Sequence, residues 1–139
     1  MQSKQLTPNS WIIRIVRGEK VIETLKQFCT EHKINGGFFY GLGACDQAEL
    51  AHYNVETKKY SSMVFNQPLE LIHMTGSIGL ADTLIIHAHV VLSDTKMQTL
   101  GGHLVEARVS GTAEIYLTTT ETLPKKLDPE TGLKLFDLS

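Results

Sequence analysis

The chain has 139 residues, 42% of them hydrophobic and 20% charged, and 13 Lys plus Arg against 15 Asp plus Glu give a formal net charge of −2. That composition excludes global disorder, its two cysteines exclude a disulfide framework, and it lacks the basic excess of a dedicated nucleic-acid binder. No apolar run approaches the roughly 18–20 residues of a membrane span, and the opening MQSKQLTPNSW lacks the apolar core of a secretory signal, so a cytoplasmic protein is expected.

In chain order, Trp11–Val16 reads as a first strand that Gly18 breaks. Glu19 to Lys33 reads as the one main helix, with Val21, Ile22, Leu25, Phe28 and Cys29 on one side, acidic Glu19 at its start, Lys33 at its end and Asn35-Gly36-Gly37 as its stop. The remainder is strand-like: Phe38–Leu42, Ala48–Tyr53, Tyr60–Phe65, Leu69–Ser77, Thr83–Leu92, Leu104–Val109 and Ala113–Thr119, separated by turn chemistry such as Asn66-Gln67-Pro68. Gly37, Gly41 and Gly43 open no helix and read as turns or close backbone packing.

These elements predict a single α+β domain over 1–139, a mostly antiparallel and strongly curled sheet with one main helix. Its core runs from about 10 to 120, and the tail 121–139, with Leu133, Leu135, Phe136 and Leu138 after a Pro-Glu-Thr-Gly turn, docks on it. Cys29 and Cys45 read as packed free thiols. Lys58-Lys59 and Lys125-Lys126 read as solvated loop pairs.

The densest chemistry lies in Leu84–Ala113, where His87 and His89 fall two residues apart and His103 follows Gly101-Gly102. Residues i and i+2 of a strand share a face, about 6.5–7 Å apart. A hairpin centred on Lys96 sets His89 opposite His103 and His87 opposite Val105, with Gly101-Gly102 as a place for a bulge. Three neutral imidazoles are a ligand set for zinc, with a fourth position left for water or substrate; nickel, copper and iron also accept imidazole. The same histidines could equally serve as hydrogen-bonded groups of a partly buried sheet. The strand Leu84–Leu92 is apolar on both faces, which one helix cannot cover, so a symmetric oligomer is expected.

Taken together, Gly18-Glu19, Gly41-Leu42-Gly43-Ala44, Leu69-Glu70-Leu71, Thr75-Gly76-Ser77, His87-Ala88-His89, Gly101-Gly102-His103-Leu104 and Ala113-Glu114 resemble the stand-alone prokaryotic PPC domain, named for plants and prokaryotes conserved. The resemblance implies an α+β fold, a homotrimer and the label "DNA-binding". The plant proteins that carry the label have AT-hooks ahead of this domain, whereas this chain has no Arg-Gly-Arg-Pro core and only Arg14, Arg17 and Arg108 as arginines. The fold also looks related to acetolactate decarboxylase and to a small zinc-dependent esterase, which hold metal with His-x-His and a third histidine; His87, His89 and His103 match that set.

Three functions follow as expectations: a trimeric metal-binding protein with a regulatory or DNA-associated role, a metal-dependent lyase or hydrolase acting on a small carbonyl or ester, and an interaction module. For the enzyme, Glu70 and Glu114 are the candidate proton carriers, and His73 and His52 are candidate outer groups around the metal.

Overall fold

The computed structural model describes residues 1–139. In chain order it forms β1 (Gln2–Thr7), β2 (Ser10–Val16), α1 (Val21–Glu31), β3 (Gly37–Asn54), β4 (Lys59–Phe65), β5 (Leu69–Leu80), β6 (Leu84–Ser93), β7 (Thr99–Thr119), β8 (Lys125–Leu127) and β9 (Lys134–Phe136). The architecture is α+β, with every strand pair in its main sheet antiparallel.

Two long strands, β3 and β7, organise that sheet. They pair from Gly37 opposite Thr119 to Ala51 opposite His103, and each is long enough to border two more strands on its second edge. β7 takes β2 and β6 there, and β3 takes β5 and β4. Because β5 and β6 also pair with each other, β3, β5, β6 and β7 close into a ring. This closure is the strong curl that the single helix and the many apolar strands predict.

The helix carries Val21, Leu25, Phe28 and Cys29 on one face, all fully buried in a core cluster of 24 residues. Each such aliphatic or aromatic side chain contributes about 1.5–3 kcal/mol by leaving water. No helix is long and apolar enough to cross a membrane.

Four local expectations are corrected. The helix spans Val21–Glu31, not Glu19–Lys33: Lys33 turns into the left-handed region at φ 56°, ahead of the glycines expected to stop it. Glu19 stays in the preceding turn, where it accepts from the Val16 N–H and pairs with the N-terminal ammonium. The helix start is served instead by Glu106 of β7, whose carboxylate accepts from the Ile22 and Glu23 N–H groups at 2.9 and 3.1 Å. A carboxylate there satisfies free donors and complements the positive end of the helix dipole.

Next, β3 and β7 each run unbroken where two strands are expected. At Gly43 of β3 the two backbones approach so closely that a Cβ would lie 2.1 Å from the Thr112 carbonyl oxygen. Glycine here serves close packing inside a strand rather than a turn. Last, β1 is an additional edge strand, paired with β2 and exposed at all six residues, so no apolar alternation announces it.

Candidate metal centre

The alternation of β6 separates core from site. Ala88, Val90 and Leu92 are 1%, 3% and 0% exposed, while His87 and His89 project from the opposite face. His89 lies opposite His103, followed by Val90 opposite Gly102 and Val91 opposite Gly101, so the expected register is present and the two glycines introduce no bulge. The pairing stops at that histidine pair. His87 faces Ser77 of β5 rather than Val105. The cause lies one strand away: Glu49 pairs with Glu106 and Leu50 with Leu104, leaving Val105 as an extra residue at which β7 changes course to follow β3.

One nitrogen from each of His87, His89 and His103 lies within 4.8 Å of the other two. The Nε2 atoms of His87 and His89 are 3.2 Å apart. Two nitrogens bound at about 2.0–2.1 Å to one tetrahedral ion would stand roughly 3.4 Å apart, so this pair already has the spacing of two ligands. His103 Nδ1 is buried without a hydrogen-bond partner, a polar atom for which the chain supplies nothing. Partial burial, reinforced by His103, His89 and Lys125 nearby, pushes His87 down to about 4. Burial, with His89 second, also holds His103 below its ordinary value. Both shifts favour the neutral imidazole that can coordinate a cation, and the donor set fits a divalent ion of the zinc class.

Beside these rings lies a cavity of about 360 Å³, a size that admits a small molecule. Tyr60 packs against His103 with the rings tilted and their centres 5.2 Å apart and forms one wall, while Leu133, Leu135 and Phe136 of the tail form a roof. Tyr53 donates to the Thr131 carbonyl at 2.7 Å and Lys58 to the Pro129 carbonyl at 2.7 Å, fastening the turn between β8 and β9. The β8–β9 hairpin thereby becomes part of the site.

Lys125 is the residue that sequence reasoning misplaced. It is only 8% exposed and lines the cavity, whereas its neighbour Lys126 is solvated and pairs with Asp137 at 3.1 Å. Strand alternation in β8 separates the two lysines, a signal hidden because so short a strand has no visible pattern. Burial lowers the affinity of Lys125 for its proton. Its stem lies over Gly79, where a Cβ would come within 2.7 Å of the lysine Cε. Its ammonium stands 4.4 Å from the centre of the Phe136 ring and takes part in no ion pair.

The candidate carboxylates lie elsewhere. Glu70 sits on β5 opposite Ala44 and Ser93, and Glu114 sits on β7 between Arg14 and Leu42; neither lines the histidine cavity. Glu114 instead shares a separate groove with His73, Tyr40 and Ile72. His73 also borders a shallow groove over Thr75 and Gly102 with His89, while His52 lines another beside Ser61 and Met63. Neither joins the three-histidine group. Burial pushes the Cys29 thiol up to about 12 and the Cys45 thiol up to about 11, consistent with packed, unreactive groups.

Comparison with known proteins places the chain in a family. Residues 2–121 match the Plants and Prokaryotes Conserved (PCC) domain, the family also abbreviated PPC. The chain belongs to this family. A candidate DNA-binding protein from Bacteroides thetaiotaomicron shares 27% identity and a TM-score of 0.92, with 98% of this chain and 96% of that one covered. A plant- and prokaryote-conserved protein from Pyrococcus horikoshii shares 30% identity and a TM-score of 0.85, covering 92% and 90%. A protein from Archaeoglobus fulgidus described as metal-containing has the same fold at 24% identity, with a TM-score of 0.86 and 98% of each chain covered. No curated protein matches.

Proposed function

We propose that this PPC protein is a metal-binding homotrimer whose His87, His89 and His103 hold one divalent ion, zinc in the first instance, beside a small-molecule cavity. The observation that carries the reading is the convergence of three imidazole nitrogens within 4.8 Å, two of them at ligand-like spacing. Bound there, the ion would supply Lewis acidity and leave a position for water or substrate.

The trimer rests on an apolar outer face that the helix leaves uncovered. Tyr40, Leu42 and Ile72 are 55%, 57% and 52% exposed and border one groove with Ile12 and Tyr116. Continuous exposed apolar surface of this kind favours association between copies, and the family resemblance implies three.

A metal-dependent lyase or hydrolase acting on a small carbonyl or ester is the second reading, favoured by the cavity that opens on His87 and His103. Glu70 and Glu114 lie outside that cavity within the chain, so proton transfer by either of them has no support from its position. A DNA-associated role draws less support. The chain carries a net charge of −2, and Arg108, Lys20, Lys126 and Lys134 are each engaged by a carboxylate.

Elemental analysis of untagged protein, before and after zinc reconstitution, tests the main reading. About one zinc per chain is expected after reconstitution, and a chain that remains metal-free overturns it. Light scattering tests assembly: three chain masses are expected, against one for a monomer.

A further inference from the structure

We propose that the ligand of the histidine cavity is a small carboxylic acid in its anionic form, bound between the metal and the Lys125 ammonium with its apolar body under Leu135 and Phe136. This rests on the metal reading above and names the class of molecule that the same site takes.

The cavity's charges are all of one sign. Neither Asp nor Glu is among the residues that line it, whereas Lys125 and Lys134 both are. Lys134 reaches out to Asp82 at 3.1 Å, which leaves Lys125 as the cation facing inward without a carboxylate. Lys125 is more than nine-tenths buried. The face of Phe136, 4.4 Å away, is weaker compensation for this unpaired ammonium than an anion, and the aromatic ring offers no oxygen to accept its protons.

The fold lays this lysine along the cavity rather than out over the surface. Its stem is laid across Gly79, and the β8–β9 hairpin that carries it is tied down at Thr131 and Pro129. A metal bound by three neutral imidazoles retains its full double charge, so the ion and the ammonium together attract a negative oxygen donor. The lining beyond them is Ile85, Ile86, Leu133, Leu135 and Phe136, which suits a short aliphatic or aromatic body and disfavours a fully hydrated anion such as phosphate.

The test uses the full chain loaded with zinc, with isothermal titration of isobutyrate, its neutral amide isobutyramide and inorganic phosphate at neutral pH. Isobutyrate is expected to bind at least about tenfold more tightly than isobutyramide and than phosphate, the scale of one charge-assisted contact. Lys125→Met keeps the apolar stem over Gly79 and is expected to retain parental zinc content while losing about tenfold or more in isobutyrate affinity. Equal affinity for acid and amide in the parent overturns the proposal without any variant. Phosphate binding in place of carboxylate, no binding of isobutyrate to the zinc-loaded chain, or undiminished isobutyrate binding by Lys125→Met also overturns it. Failure of the parent to take up zinc removes the metal reading and this inference with it, an outcome the zinc content alone identifies.

Discussion

The two faces of β6 do different work from the same ten residues. Inward, Ala88, Val90 and Leu92 pack into the core, where what matters is apolar volume; outward, His87 and His89 meet His103 across the strand pair, where what matters is the direction of individual nitrogens. The inner face is held by many interchangeable contacts and the outer by a few that cannot be exchanged. Fold and function are therefore separable along a single strand, and a substitution on one face should leave the other largely intact.

The largest expected effect breaks the inner face. Leu92→Ala removes a fully buried side chain and should cost about 2–5 kcal/mol of unfolding free energy in urea, while the folded fraction still binds about one zinc per chain. The mirror experiment is His89→Ala, which should abolish stoichiometric zinc binding yet change the stability of the metal-free protein by less than about 1 kcal/mol, as exposed polar positions usually do. If Leu92→Ala lost zinc binding while folded, or if His89→Ala unfolded the chain, the faces would be coupled and the comparison would fail.

Between these lies the cap that crosses from sheet to helix. Glu106→Ala leaves the Ile22 and Glu23 N–H groups without their acceptor and should destabilise by about 1 kcal/mol, with zinc content unchanged. Thermal melts and metal analysis of the same samples separate the two effects.

A further effect sharpens the outer face through pH. His87 is held down to about 4 against an ordinary value of 6.5. Between those limits the unfolded chain takes up a proton that the folded ring refuses, so the His87 contribution lowers the stability of the metal-free protein as pH drops through this window and is constant above it. Denaturant melts at intervals from pH 7 to 4 should show this slope, and His87→Ala should flatten it. Zinc-loaded protein should release its metal over the acidic side of the range, because protonated imidazole cannot coordinate.

Much of this separation was legible in the sequence, for reasons specific to each element. His89 and His103 could be paired by arithmetic because a short polar turn around Lys96 joins their strands and fixes the register. The helix was visible because Val21, Leu25, Phe28 and Cys29 repeat at its period; its ends were not, because a distant Glu106 serves its start and a left-handed Lys33, rather than a glycine, ends it. The continuity of β3 and β7 was obscured by glycines that resemble breaks, although Gly43 marks close approach between strands. Lys125 was illegible for the opposite reason: charge normally signals solvent, and only the docked tail shows that this ammonium faces a cavity. β1, exposed throughout, carries no burial pattern to read.

The central claim is that three histidines from two strands hold one ion, and anomalous diffraction from crystals of the untagged, zinc-reconstituted protein tests it most directly. Data collected on either side of the zinc edge should show one peak per chain, about 2.0–2.1 Å from one nitrogen each of His87, His89 and His103. A peak held by other residues, or none at these three rings in fully reconstituted protein, would contradict the account.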